Sequence, residues 1–152
     1  MHGAAVELDW TKAAPIDRIA IAVDFSAGDA NLIKSAIAQA HTGTELILIH
    51  VVESVTASYF EEISDDEESR KDRERLAQYA ATLSQNGYKV NFVLGYKNRV
   101  KEIVRIVNLT DAQLLVMGAH HHYGWKDYFF GETIESVRHK VKIPVLIVQQ
   151  TA

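Results

Sequence analysis

Three histidines in succession, His120, His121 and His122, are the most conspicuous candidates for chemistry, because imidazole is the commonest nitrogen ligand of metal ions. Neighbouring side chains diverge on a strand or helix, so all three cannot turn toward one ion there. A flexible loop could present two of them, with Glu132 or Asp127 as a third ligand. A polar, exposed loop explains the same run without a metal. The expectation is therefore no bound metal, and a metal-sensing module on the His120–His122 loop stays as an alternative. Asp24 is the second candidate. It follows the apolar run Ile19–Val23 and either meets a ligand at a strand end or caps the entry to the next helix.

Other chemical signatures are missing. No G-x-G-x-x-G follows the first strand, and there is no G-x-x-x-x-G-K-[ST] phosphate loop. A phosphoacceptor receiver needs an aspartate ending its third strand and a lysine ending its fifth, where Leu94-Gly95 and Val148-Gln149 stand. No G-x-S-x-G elbow presents a serine. No nucleophile, base and orienting partner are assembled, so the chain is not expected to be an enzyme.

The elements that would position these residues alternate regularly. Ile19–Val23 reads as a strand, and Ser26-Ala27-Gly28-Asp29 as a capping box before a helix carrying Ala30, Ile33, Ile37 and Ala40 at helical spacing. After His41-Thr42-Gly43, Leu46–Val52 is a second strand. Apolar residues at consecutive positions in both runs suit strands covered on two faces, as in a parallel sheet. Six of the eight residues from Glu61 to Glu68 are acidic, which suits an exposed loop or a helix's polar start. Arg70–Gln85 reads as a helix stopped by Asn86-Gly87, and Val90–Leu94 as a third strand. Asn98 caps a helix with Val100, Ile103, Val104 and Val107 inside; Leu114–Met117 is a fourth strand ending at Gly118. A thirteen-residue interval precedes Gly131 and a short helix using Ile134, Val137 and Val141; Pro144 opens the last strand, Val145–Val148. The fold class is α/β: a doubly wound, five-stranded parallel sheet with helices on both faces. In such sheets ligands bind beyond the carboxyl ends of the strands where the order reverses, so Asp24, Val51 and Gly118 should converge.

Composition narrows the function classes. The 152 residues are one domain's worth, with 47% hydrophobic and 24% charged residues, as in ordinary globular proteins. Sixteen Lys and Arg against twenty Asp and Glu leave a net charge of −4, with no basic stripe for nucleic acid. The absence of cysteine removes disulfides, thiolate zinc sites and cysteine nucleophiles, and suits a reducing cytoplasm, the expected location. No apolar run approaches the roughly 18–20 residues that span a bilayer, so membrane insertion of this chain is not expected. Residues 1–15 read as an N-terminal arm or a scar of a longer polypeptide, and 16–150 as the domain. Glu7 and Asp9 argue against a signal peptide.

Over residues 16–150 the chain resembles the universal stress protein family. The likeness lies in Ile21-Ala22-Val23-Asp24-Phe25-Ser26, His50-Val51, Val116-Met117-Gly118, and Ile143-Pro144-Val145-Leu146-Ile147-Val148, in that order and spacing. It implies an adenine-nucleotide alpha-hydrolase-like fold with strand order 3-2-1-4-5. It also implies a nucleotide site at Ala22, Val23, Asp24, Val51, Met117, Gly118, His121, Gly131, Glu132 and Thr133, with Asp24, Val51, Met117 and Gly118 around base and ribose. ATP-binding members carry G-x2-G-x9-G-[ST], in which bare backbone N–H groups and a helix N-terminus meet phosphate. Gly118 and Gly131 keep the outer spacing, while His121 replaces the second glycine and Glu132 the Ser/Thr. A carboxylate at that helix N-terminus would itself be the favoured anion. Against one phosphate charge at roughly 4 Å and an effective dielectric near 20 it costs about 4 kcal/mol, nearly three decades of affinity.

The site is accordingly expected to be degenerate. No cofactor is expected, and ATP or another adenosine-containing ligand would bind weakly; a functional ATP/AMP switch is the alternative. The resemblance further implies a homodimer paired through the edge strand Val145–Val148, and a regulatory, stress-response role. Such domains are also appended to membrane transporters, so covalent attachment to one is a further option.

Overall fold

A computed structural model describes residues 6–53, 61–120 and 125–150, with backbone alone for residues 12, 61–66, 120 and 125–130. A 3-10 turn at Trp10–Lys12 precedes β1 (Arg18–Ala22), α1 (Asp29–Ile37), β2 (Glu45–Val52) and α2 (Glu61–Gln85). Then follow β3 (Lys89–Tyr96), α3 (Arg99–Leu109), β4 (Leu114–His120), α4 (Trp125–Lys140) and β5 (Val145–Gln150). The strands form one sheet in the order β3-β2-β1-β4-β5, and every pairing is parallel. Both the expected class and the expected order hold.

The consecutive apolar runs divide by parity between two cores. Ile19, Ile21, Leu46, Leu48, Leu114 and Val116 face Leu32 and Ala36 of α1 and Leu76 and Ala80 of α2. Ala20, Ile47, Ile49, Leu115 and Met117 face Ile103, Ile106 and Val107 of α3, Val137 of α4 and Val141 just beyond its end. A period-two backbone sends alternate side chains to opposite faces, so a strand covered on both must be apolar throughout.

Local signals set the helix ends. The Asn98 side chain accepts a hydrogen bond from the Lys101 N–H at 3.0 Å, capping α3 as expected. At the end of α2, Gly87 takes φ +91°, and the Tyr88 and Gly87 N–H groups bond to the Leu83 and Ser84 carbonyls. That is a Schellman stop, which needs a residue tolerant of the left-handed region. The acidic stretch from Glu61 is the start of α2 and not a separate loop.

Three expectations need correction. The helix after β1 is capped by Gly28 without a side-chain bond, and not by Ser26; Asp29 turns back to the preceding loop. β4 does not end at Gly118 but runs to His120. Most consequential, α4 starts at Trp125, so Gly131 and Glu132 lie inside a sixteen-residue helix and not at its N-terminus. Sequence spacing suggested a turn at Gly131, but a single helical glycine costs only about 1 kcal/mol, which the packing of Val137 and Val141 on the sheet outweighs. No described helix is long and apolar enough to cross a membrane.

Candidate functional site

A crevice opens beyond the carboxyl ends of β1, β2 and β4, where the strand order reverses. Ala22, Val23, Asp24, Val51, Met117, Gly118 and Thr133 all line it, so seven of the expected site residues come together. Val23, Val51, Met117 and Thr133 are buried, and Ala22 and Asp24 are half-buried. Gly131 and Glu132 do not line the crevice; both are exposed on α4. Glu132 is therefore not the anion seated at a helix N-terminus that the sequence suggested. His121 and His122 lie outside the described residues, as do Tyr123 and Gly124, and His120 is described by its backbone alone. The histidine-loop metal site thus falls outside the described structure. Among the described residues no cluster of three His, Asp or Glu side chains could hold an ion.

Several lining residues were not anticipated as parts of the site: Asp29, His50, Arg99 and Gln150. Asp29 is 3% exposed, and its carboxylate gathers the β1–α1 loop. It accepts hydrogen bonds from the Phe25 N–H at 2.8 Å, the Asp24 N–H at 3.3 Å and the Tyr79 hydroxyl at 2.9 Å. Burial pushes its pKa up to about 6, against the lowering effect of those hydrogen bonds, with a smaller push from the Asp24 charge. Burial and the neighbouring Asp29 carboxylate likewise push the Tyr79 hydroxyl well above its usual range. Asp24 itself accepts from the Ser26 N–H at 3.0 Å, so it braces the turn as well as facing the crevice.

The loop is pinned from outside by α2. Phe25 holds φ +62°, a left-handed conformation costly for a bulky residue. Its ring lies 4.2 Å from the His50 ring, meets Tyr79 edge-on at 5.6 Å, and carries the Arg75 guanidinium over its face at 5.6 Å. His50 Nδ1 is 2.9 Å from the Val23 carbonyl oxygen and Nε2 is 3.3 Å from Asp72, so each ring nitrogen faces an oxygen. These contacts supply the over-determination that a strained backbone requires. On the opposite wall, Arg99 is paired with Glu53 at 3.0 Å.

Chemically the crevice has an apolar floor with oxygen-rich polar groups at its β1 side. Among the described residues no paired nucleophile and base converge there. An apolar cleft with a few polar groups is the usual form of a small-molecule site.

Comparison with known proteins identifies the family and the fold. Residues 15–149 match the family model described as the universal stress protein family. Among solved structures, a hypothetical protein whose biochemical function was assigned from its structure superposes with a TM-score of 0.78 at 24% identity, covering 90% of this chain and 98% of that one. A universal stress protein from Archaeoglobus fulgidus in complex with dAMP gives 0.65 at 20% identity, covering 89% and 99%. One in complex with cAMP gives 0.67 at 17% identity, covering 89% and 98%. At these identities the likeness establishes a common fold. No curated protein matches the chain in sequence.

Proposed function

The chain belongs to the universal stress protein family, and from that premise we propose that it is a regulatory, stress-response domain whose crevice holds an adenosine-containing ligand of little phosphate charge. The observation that carries this reading is the meeting of Asp24, Val51, Met117 and Gly118 in one crevice whose β1 side holds two carboxylates, Asp24 and Asp29. The apolar floor suits a base. The carboxylates disfavour a tail of several phosphates, because burial already works against the Asp29 charge and each added anion deepens that penalty. Solved relatives hold dAMP and cAMP, each with a single phosphate. The exclusion of ATP thus rests on these crevice carboxylates and the missing second glycine at His121, and not on Glu132.

The working unit is a homodimer joined through β5. That strand is at the sheet edge, and Val145, Leu146 and Ile147 are only half-buried in the single chain, apolar surface that a second copy would cover. Sedimentation distinguishes one chain from two. The ligand reading is tested by calorimetric titration with adenosine, AMP and ATP with Mg²⁺. Adenosine or AMP should bind more tightly than ATP; ATP as the tightest ligand would sink the reading.

A further inference from the structure

Gln150 ends β5, in register with His120 of β4, and its side chain turns into the crevice at 6% exposure. There it occupies space that two glycines leave open. A Cβ on Gly28 would collide with the Gln150 amide, and one on Gly118 would come within 2.7 Å of Nε2. The Nε2 group donates to the Gly28 carbonyl at 2.9 Å. Turning the amide over would set oxygen against oxygen at that contact, so the Gly28 carbonyl fixes which end is which. Oε1 is buried and has no hydrogen-bond partner among the described residues. Buried amide oxygens are almost always satisfied, and the exceptions call for an explanation.

We propose that Gln150 determines ligand specificity: its Oε1 accepts a hydrogen bond from a sugar hydroxyl of a neutral nucleoside. The inference rests on the nucleoside reading of the crevice and adds the group that reads the ligand. An orphaned acceptor is satisfied by a donor and repelled by the lone pairs of a phosphate oxygen. Its surroundings favour the same chemistry, since the Asp24 and Asp29 carboxylates also line the crevice and are acceptors too. Gly118 bears on the same point. Its bare backbone is taken up by this chain's own glutamine and is not left open toward a phosphate.

The test is calorimetric titration of the intact chain and its Q150L variant with adenosine and with 2′,3′-dideoxyadenosine. Leucine keeps most of the volume and removes the acceptor, and Q150M serves if Q150L does not fold. The unaltered chain should bind adenosine about five- to tenfold more tightly than the dideoxy compound, the worth of one hydrogen bond. In the variant that preference should fall to within about twofold. Equal binding of the two nucleosides by the unaltered chain, or an undiminished preference in the variant, would overturn the role of Gln150 while leaving the nucleoside site standing. Failure of the unaltered chain to bind either nucleoside would overturn both.

Discussion

Replacing Asp29 by Asn removes a buried charge while keeping the shape that holds the β1–α1 loop. The Phe25 N–H and the Tyr79 hydroxyl both donate to the same carboxylate oxygen, Oδ2, so an amide oxygen placed there keeps both bonds, and only the longer contact with the Asp24 N–H is lost. What disappears is a titration. The Asp29 pKa rises from 3.8 to about 6 on folding, chiefly through burial. The native state then holds its proton more tightly than the unfolded chain. This group's contribution to stability is therefore full below pH 3.8, falls as the pH rises toward 6, and stays low above that. About two pKa steps at about 1.36 kcal/mol each set a ceiling of about 3 kcal/mol. Solvent at the open mouth of the crevice screens part of it, leaving about 1–2 kcal/mol. The assay is urea unfolding of the unaltered chain and D29N between pH 4 and 8, read as the difference between the two, in which other titrations cancel. The unaltered chain should lose about 1–2 kcal/mol relative to D29N between pH 4 and 7, with no further change above. A difference that is flat, or that moves in favour of the unaltered chain as the pH rises, would refute the claim that burial dominates at this carboxylate.

Two further outcomes follow from the same neighbourhood and from the turn after β3. Y79F removes a hydrogen bond to a charged acceptor and should cost about 1.5–3 kcal/mol in urea unfolding. It should also shift the pH-dependent fall in stability to higher pH, because the lost bond was holding the Asp29 pKa down. Lys97 has φ +74° while its N–H is bonded to the Val52 carbonyl, so K97G keeps the bond and relieves the left-handed strain. It should gain about 0.5–1 kcal/mol, and a loss of more than about 1 kcal/mol would show that the lysine side chain contributes contacts outweighing the strain.

Much of the fold was legible because its signals are local. Consecutive apolar residues in Ile19–Val23 and Leu46–Val52 can only suit strands covered twice, and Asn98 and Asn86-Gly87 mark helix ends by chemistry that acts within four or five residues. The convergence of Asp24, Val51 and Gly118 followed from handedness and alternation, whereas the strand order and the place of Met117 in the site came with the family resemblance. The errors arose where one local rule was outweighed by packing. Gly131 has the spacing of a helix boundary, yet α4 runs through it, which takes Glu132 away from the helix N-terminus where its charge would meet a phosphate. Asp29 has the spacing of a capping box, but its partners are the loop behind it and Tyr79 fifty residues away. Gln150 was invisible for the same reason. Its only trace in the sequence is a polar residue closing an apolar strand, and its meaning comes from Gly28, 122 residues distant.

That distance bears on how the molecule is made. Synthesis proceeds from Gly28 toward Gln150, so the contact between them cannot form until β1 to β4 have all been made. A nascent polypeptide with β1, α1 and β2 already folded still lacks one wall of its pocket. On the proposed reading of the crevice, recognition of a nucleoside therefore has to wait for β5 to emerge and dock beside β4.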